Sequence, residues 1–200
     1  IKQVGVDSFL NDTFDTPVFV ALNTLDYNQK IDSEISSKSD FYKNPNQYQS
    51  TFSKFSDVAD IFIAGHYFGN GSPYLFTRED AKKSSFKIRT VADISCDING
   101  PVASTIRPSS IANPIYGYNP NTEKEDVFDK EDVISVMAVD NLPCELPKDA
   151  SKDFGQVLIQ SIIPALFEGD KDTVIERATI CENGELTPNF QYLHQYVLGN

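Results

Sequence analysis

Four short apolar runs, each closed by a polar turn, constrain this chain most: PVFVALN (residues 17–23), ADIFIAG (59–65), FKIRTVADIS (86–95) and VISVMAV (133–139). None is long enough for a typical helix, and they are rich in β-branched residues, so they read as strands. Runs that are apolar on both faces suit strands covered on both sides, as in a parallel sheet. The last run is the clearest. It is almost wholly apolar from Val133 to Val139, then turns abruptly into Asp140, Asn141, Leu142 and Pro143.

Helical patterns fall between the strands. Residues 44–58 carry Pro45 near their start and aromatics at Tyr48, Phe52 and Phe55, spaced four and three apart. At 77–83, Thr77 and Asp80 make a capping-box pair. The longest pattern, 147–167, opens with Pro147 at a first helical position and aligns Phe154, Val157, Leu158, Ile162 and Leu166 on one stripe. Pro164 is expected to kink or shorten it. Residues 187–199 form a second capped candidate. Strands alternating with helices predict an α/β class with a parallel, Rossmann-like sheet flanked by helices. Two segments break the rhythm. Residues 29–40 are polar and serine-rich, which reads as a surface insertion. Residues 95–130 are rich in Pro, Asn and Tyr and show no clear period, the mark of a functional loop.

Composition narrows the partners. Hydrophobic residues make up 40% of the 200 and charged residues 23%, enough for a packed core. The net charge of −12 argues against nucleic acid and anionic membranes as partners. The three cysteines, Cys96, Cys144 and Cys181, are scattered and form no CxxC pair. That argues against a disulfide framework and a structural zinc site, and for a reducing, cytoplasmic setting. No apolar run approaches the roughly 20 residues of a membrane span. The opening, IKQVGVD, lacks a methionine and reads as the interior of a longer protein.

In an open parallel sheet, ligands sit beyond the carboxyl ends of the strands. Three runs in succession end in polar, turn-forming residues there: Gly65, His66, Tyr67 and Phe68; then Cys96, Asp97, Ile98, Asn99 and Gly100; then Asp140 and Asn141. Each has a plainer reading. His66 alone is more often a satisfied loop histidine. Asp97 with Asn99 and Gly100 is also ordinary turn chemistry. Asp140 and Asn141 would serve equally as caps of a following helix. Tyr116 and Tyr118 read as packing, Cys144 as an inert thiol, and the acids from Glu123 to Asp132 as a solvated loop. GxGxxG, GxxxxGK[ST], HExxH and GxSxG are all absent.

Three stretches together resemble the lysine-ketoglutarate reductase and saccharopine dehydrogenase family, related to alanine dehydrogenase. They are DFYKNPNQYQSTFSKFSDVADIFIAGHYFGNGSPYLFTREDAKK (40–83), VADISCDINGPVASTIRPSSIANPIYGY (91–118) and VMAVDNLPCELPKDASKDFGQVLIQSIIPAL (136–166). They keep the family's order and cover over half of the chain. The resemblance implies two Rossmann-like domains with NAD or NADP bound between them. Residues 1–168 would be the later part of the cofactor domain, and 169–200 a segment returning to the first domain. The family's glycine-rich turn would lie before Ile1, and its catalytic lysine and histidine in the absent first domain. Asp26 then matches an acid near the adenosine ribose. Gly65 matches the cofactor side of a loop whose His66, Tyr67 and Phe68 face substrate. Asp97 matches an acid facing the active site, in a supporting role. Val139, Asp140, Asn141 and Leu142 match a loop that approaches the nicotinamide.

The reaction so implied is hydride transfer at a C–N bond, with an amino acid or keto acid as substrate. The whole protein would be the oxidoreductase and this chain alone inactive. An alanine-dehydrogenase-like enzyme with another substrate, or a catalytically inert binding module, remain the alternatives. A sheet cut beside its central strand would expose an edge. The N-terminal segment, a second copy, or the missing half of the protein held non-covalently is expected to cover it.

Overall fold

A computed structural model describes residues 1–32, 35–69 and 71–199. The chain forms two compact units, Ile1–Leu142 and Pro143–Asn200. The first is a mixed α/β unit built on a five-stranded, mostly parallel sheet flanked by helices, a partial Rossmann-like arrangement. Its strands are β1 (Ile61–Ala64), β2 (Thr90–Asp93), β3 (Ile115–Asn119), β4 (Lys124–Asp126) and β5 (Ile134–Met137). Their order across the sheet is β1-β2-β5-β3-β4. β1, β2 and β5 run parallel; β3 is antiparallel to β5 and β4 to β3.

Three of the four expected strands are therefore the parallel core. The fourth is not. Of residues 17–23 only Val18–Phe19 is extended, and it pairs in parallel with Lys2–Gln3 in a separate ladder. The register of the main sheet sets Phe62, Val91, Val136 and Tyr116 in one row. On that face Phe52, Phe55, Phe76, Phe86 and Ile88 pack as a continuous core. The other face differs from expectation. Ile61 is 62% and Ile63 65% exposed, so β1 alternates between a covered and an open side. Along β1, among the described residues, only one face is covered.

The stretch 95–130, expected to lack regular structure, contains the β3–β4 hairpin. Its period was hidden by Gly117. A Cβ there would stand 2.5 Å from Val133 Cγ1 and 2.7 Å from the Asp126 carbonyl oxygen. Only glycine permits that approach. On either side of it Tyr116 and Tyr118 turn inward and are buried. Asn119 makes the hairpin turn, its side-chain oxygen accepting from the N–H groups of Asn121 and Thr122.

Residues 44–58 are not the single helix that their aromatic spacing predicts. Pro45–Gln47 is one 3-10 turn, Tyr48–Ser50 is extended and pairs with Asn28–Lys30, and Ser53–Ser56 is one helical turn. The spacing marked burial correctly but not conformation. Tyr48 packs edge-on against Phe41 at 5.0 Å, while Phe52 joins the main core. Of the polar stretch 29–40, Ser33 and Glu34 lie outside the described residues. Its beginning pairs in that ladder, and its end enters the helix Lys38–Lys43, capped by Ser37.

The second unit holds the long helical pattern. Pro147 occupies its first turn, and Pro147–Val157 runs directly into Leu158–Ile162 and Ile163–Glu168. Pro164 does not end the helix. It has no N–H for the carbonyl four residues back. The turn before it widens instead, with the Ile163 N–H donating to the Leu158 carbonyl five residues back. The last pattern, 187–199, starts as a 3-10 turn over Pro188–Leu193 and becomes α-helical only at His194–Val197. Among the described residues no helix is long and apolar enough to cross a membrane.

Candidate functional site

Because β1, β2 and β5 are parallel neighbours, their carboxyl ends open on one side of the sheet. Gly65 to Phe68, Cys96 and Asp97, and Val139 to Leu142 come directly after those ends. The interaction that shapes them is one that sequence reasoning missed. Asp93, the last residue of β2, is 1% exposed. Its carboxylate accepts from Ser95 Oγ at 2.7 Å, from the Cys96 N–H at 3.0 Å and from Thr105 Oγ1 at 2.7 Å. A buried carboxylate needs such donors, and here they come from both ends of the loop after the strand. The available signal was Asp-x-Ser at a strand terminus, a turn-forming pair.

This anchor positions the neighbouring turn. Cys96 is held at φ 53°, a left-handed conformation uncommon for a side chain of its size. Its thiol donates to the Ala138 carbonyl at 3.2 Å. Burial raises the thiol pKa, and the nearby charges of Asp93, Asp140 and Asp97 raise it further. Cys96 is thus a poor nucleophile. Asp97 is half-buried, and its carbonyl accepts from the Gly100 N–H at 2.9 Å. A Cβ on Gly100 would meet Asp97 Cβ at 2.7 Å, so the tight-turn reading of Asn99 and Gly100 holds.

On the neighbouring strand, Gly65 has nothing within 4 Å of where a Cβ would stand, which leaves the backbone open to approach. His66 is half-buried, and its Nε2 is shielded from solvent without a hydrogen-bond partner. Burial lowers its pKa, against the opposing pull of Asp93 and Asp97. The imidazole is therefore neutral at neutral pH. Tyr67 projects into solvent, 91% exposed. Phe68 instead stacks edge-on against Tyr74 at 5.7 Å.

At the end of β5, Val139 is buried, 3% exposed, so only its backbone can meet a ligand. The preceding Ala138 is locked by Ser109. The Ser109 N–H donates to the Ala138 carbonyl at 2.8 Å, and Ser109 Oγ accepts from the Ala138 N–H at 3.0 Å. Asp140 and Asn141 are exposed, and Leu142 is half-buried. Leu146, and neither polar residue, is the N-cap of the long helix. A 3-10 turn, Leu142–Glu145, starts directly after Asn141, which therefore stands at a capping position. Asp26 is placed elsewhere, in the 3-10 turn Thr24–Asp26 after the separate two-stranded ladder. There its Oδ2 accepts the Asn23 N–H at 2.6 Å in a capping box.

A clamp supports the loop from behind. Tyr116 donates its hydroxyl proton to the Ser104 carbonyl and accepts from the Ile106 N–H, both at 3.1 Å. Arg107 lies over the Tyr116 ring at 4.4 Å and forks onto Glu125 at 2.7 and 2.6 Å. Among the described residues, no group of three or more His, Cys, Asp or Glu side chains is placed to hold a metal ion. Cys96, Cys144 and Cys181 are free thiols.

No family model matches the chain. Curated relatives do. It is 31% identical over 164 residues to an alpha-aminoadipic semialdehyde synthase of Arabidopsis thaliana, a match covering 78% of this chain and 15% of that protein. It is 32% identical over 130 residues to a saccharopine dehydrogenase [NAD(+), L-lysine-forming] of Schizosaccharomyces pombe, covering 60% of this chain and 31% of that one. To the mitochondrial alpha-aminoadipic semialdehyde synthase of Mus musculus it is 26% identical over 186 residues, covering 78% and 20%. The chain thus corresponds to less than a third of the length of each of these relatives.

This geometry has two measurable outcomes. Asp93→Ala leaves the Thr105 hydroxyl and the Cys96 N–H buried without their acceptor, at a cost of about 3 kcal/mol or more. Urea unfolding should show that loss. Labelling of Cys96, slow in the native protein beside exposed Cys144 and Cys181, should accelerate in the variant. His66 has its folded pKa below its unfolded value, so the unfolded chain binds more protons. The stability it contributes is complete above the unfolded pKa, about 6.5. It is lost as pH falls through the lower folded pKa. Urea midpoints between neutral and mildly acidic pH should fall less in His66→Phe than in the parent, and equal slopes would refute the assignment.

Proposed function

The chain is a homologue of saccharopine dehydrogenases and alpha-aminoadipic semialdehyde synthases, and we propose that it is the later part of the cofactor domain of such an oxidoreductase. Residues 1–168 would belong to that domain, and 169–200 to a return toward the first one. The observation that carries the reading is the juxtaposition of three strand ends with the matched stretches. Gly65, Asp97 and Asp140 come from separate motifs, yet all lie just past adjacent parallel strands.

The cofactor in this reading is NAD or NADP, which supplies or accepts the hydride. The residues fit it in part. The open backbone at Gly65 and the exposed Asp140 and Asn141 suit polar contacts with a ribose or carboxamide. Val139 and Leu142 offer backbone and an apolar wall. Asp26 has one carboxylate oxygen committed to its own turn and the other left for a ribose hydroxyl. His66, Tyr67 and Phe68 would border an amino acid or keto acid. Neutral His66 suits an acceptor or donor role, while Phe68 supports the loop through Tyr74. Asp97 would orient substrate rather than act as the principal acid or base. The setting proposed is cytoplasmic, although the murine relative is described as mitochondrial.

The test uses the longer protein in which this chain occurs. Lysine, 2-oxoglutarate and NADH or NADPH should give cofactor oxidation, and saccharopine with NAD or NADP the reverse. Asp97→Ala should lower kcat by about a hundredfold, the scale of a misplaced substrate. The 200-residue chain alone should not turn over. Absence of turnover by the longer protein would overturn the reading, and activity with alanine and pyruvate alone would favour an alanine-dehydrogenase-like enzyme.

The bare side of the sheet belongs to the same proposal. β1 is an edge strand, and by alternation Ile61 and Ile63 turn their backbone groups to the unpaired side. The remainder of the protein, or failing that a second copy, would cover this edge. The isolated chain should therefore self-associate in sedimentation velocity, and Ile63→Lys should return it to a monomer. A monomeric parent chain whose β1 amides exchange as fast as free peptide would sink this idea.

A further inference from the structure

We propose that a cavity between the helical turn Arg78–Ala81 and the 97–103 loop is a second small-molecule site, which takes a short-chain carboxylate on the Arg78 guanidinium. The cavity has a volume of about 270 Å3 and is lined by Tyr74, Arg78, Glu79, Asn99, Gly100 and Ala103, with Thr77 at its rim. None of these residues belongs to the cofactor or substrate set proposed above. The volume suits a small organic or amino acid rather than a nucleotide.

Donor accounting identifies the ligand class. Lys82 lies 2.9 Å from Glu79 and 2.6 Å from Glu123, and together with Arg78 it balances those two acids. Arg78 gives Nη1 to Glu123 and Nη2 to the Asn99 side-chain oxygen, each at 3.1 Å. Its remaining N–H groups make no bond among the described residues, and the fork geometry suits a carboxylate. The two cations and two acids leave this cluster near neutral in a chain of net charge −12, so what meets a carboxylate here is the spare guanidinium N–H groups and not a net positive field. The Thr77 and Asp80 amides do not supply the attraction. Thr77 Oγ1 accepts the Asp80 N–H and Asp80 Oδ2 the Thr77 N–H, so the capping box uses both. Tyr74, Gly100 and Ala103 supply apolar wall for a short aliphatic body.

Occupancy would be felt at the neighbouring strand end. Asn99 sits at φ 52°, and its side chain is tied to Arg78. The same turn carries Asp97 through the Gly100 N–H. A carboxylate on the spare Arg78 donors shares the guanidinium with Asn99 and so bears on the turn that carries Asp97. The site is thus placed to regulate, by an organic acid, whatever Asp97 does.

The experiment is an amide-resolved NMR titration of this chain with isovalerate, with neutral isovaleramide and sodium sulfate as controls. Isovalerate should shift the amides of Asn99, Gly100 and Ala103 saturably, isovaleramide should not, and sulfate should bind more weakly. Arg78→Gln should weaken isovalerate by at least about tenfold, the loss of a charge-assisted pair. Tyr74→Ala should weaken it less. If Arg78→Gln misfolds, the acid-against-amide comparison on the parent chain decides the question. No saturable shift, equal binding of acid and amide, equal binding of sulfate, or undiminished binding in a folded Arg78→Gln would each overturn the proposal.

Discussion

A buried carboxylate holds the functional end of the sheet together. Asp93 ends a core strand where, among the described residues, no cation neutralises it by direct contact, and its charge is met by two hydroxyls and one backbone N–H. Such a group is tolerated only when its hydrogen bonds are complete. Completing them requires Ser95, Cys96 and Thr105 to converge, and that convergence folds the loop after β2 back over the strand. From there the order propagates. Tyr116 grips the loop at Ser104 and Ile106, and Arg107 fastens it to Glu125 on the hairpin. Ser109 continues the path to the end of β5. The positions of Cys96, Asp97 and Val139 are consequences of this chain of contacts more than of their own side chains.

That dependence explains which parts of the fold were legible. β1, β2 and β5 could be read because short apolar runs with polar ends have few other uses in a domain of this size. The capping box at Thr77 could be read because its reciprocal bonds are local. Long-range pairing was not legible. The β3–β4 hairpin has Gly117 where a strand pattern expects a side chain, and the reason is the close approach of Val133, distant in sequence. Tyr48, Phe52 and Phe55 kept the spacing of a helix while packing into different clusters, because the chain had to pair with Asn28–Lys30. The candidate site obeyed the same rule. Asp97 and Asp140 were visible as polar residues after apolar runs, whereas Asp93 looked like the end of the run itself.

The sheet also carries an unmet demand for partners. Its inner face is packed, but Ile61 and Ile63 stand open on the other, along a strand whose outer edge is unpaired. Covering an isoleucine stabilises by about 1.5–3 kcal/mol, so leaving two in water beside free backbone groups is a substantial loss. On the proposed reading, that cover comes from outside the unit of residues 1–142. The relatives, at least three times longer than their matched portions, have chain to provide it.

Electrostatics then limits which part of a dinucleotide this chain could hold. The charges acting on Cys96 at the strand ends are the carboxylates Asp93, Asp140 and Asp97. Arg78, Lys82 and Arg107 are committed to Glu79, Glu123 and Glu125. Such a surface opposes a pyrophosphate and favours hydroxyls, amides and a positively charged ring. On the proposed reading, a cofactor bound across these strand ends would therefore direct its riboses or nicotinamide at Asp140 and Asn141. Its phosphates would have to be met by backbone N–H groups from a turn of the GxGxxG kind, a pattern absent from the 200 residues. The division is physically sensible, since neutral amides can bind phosphate without neutralising the carboxylates that orient the other groups.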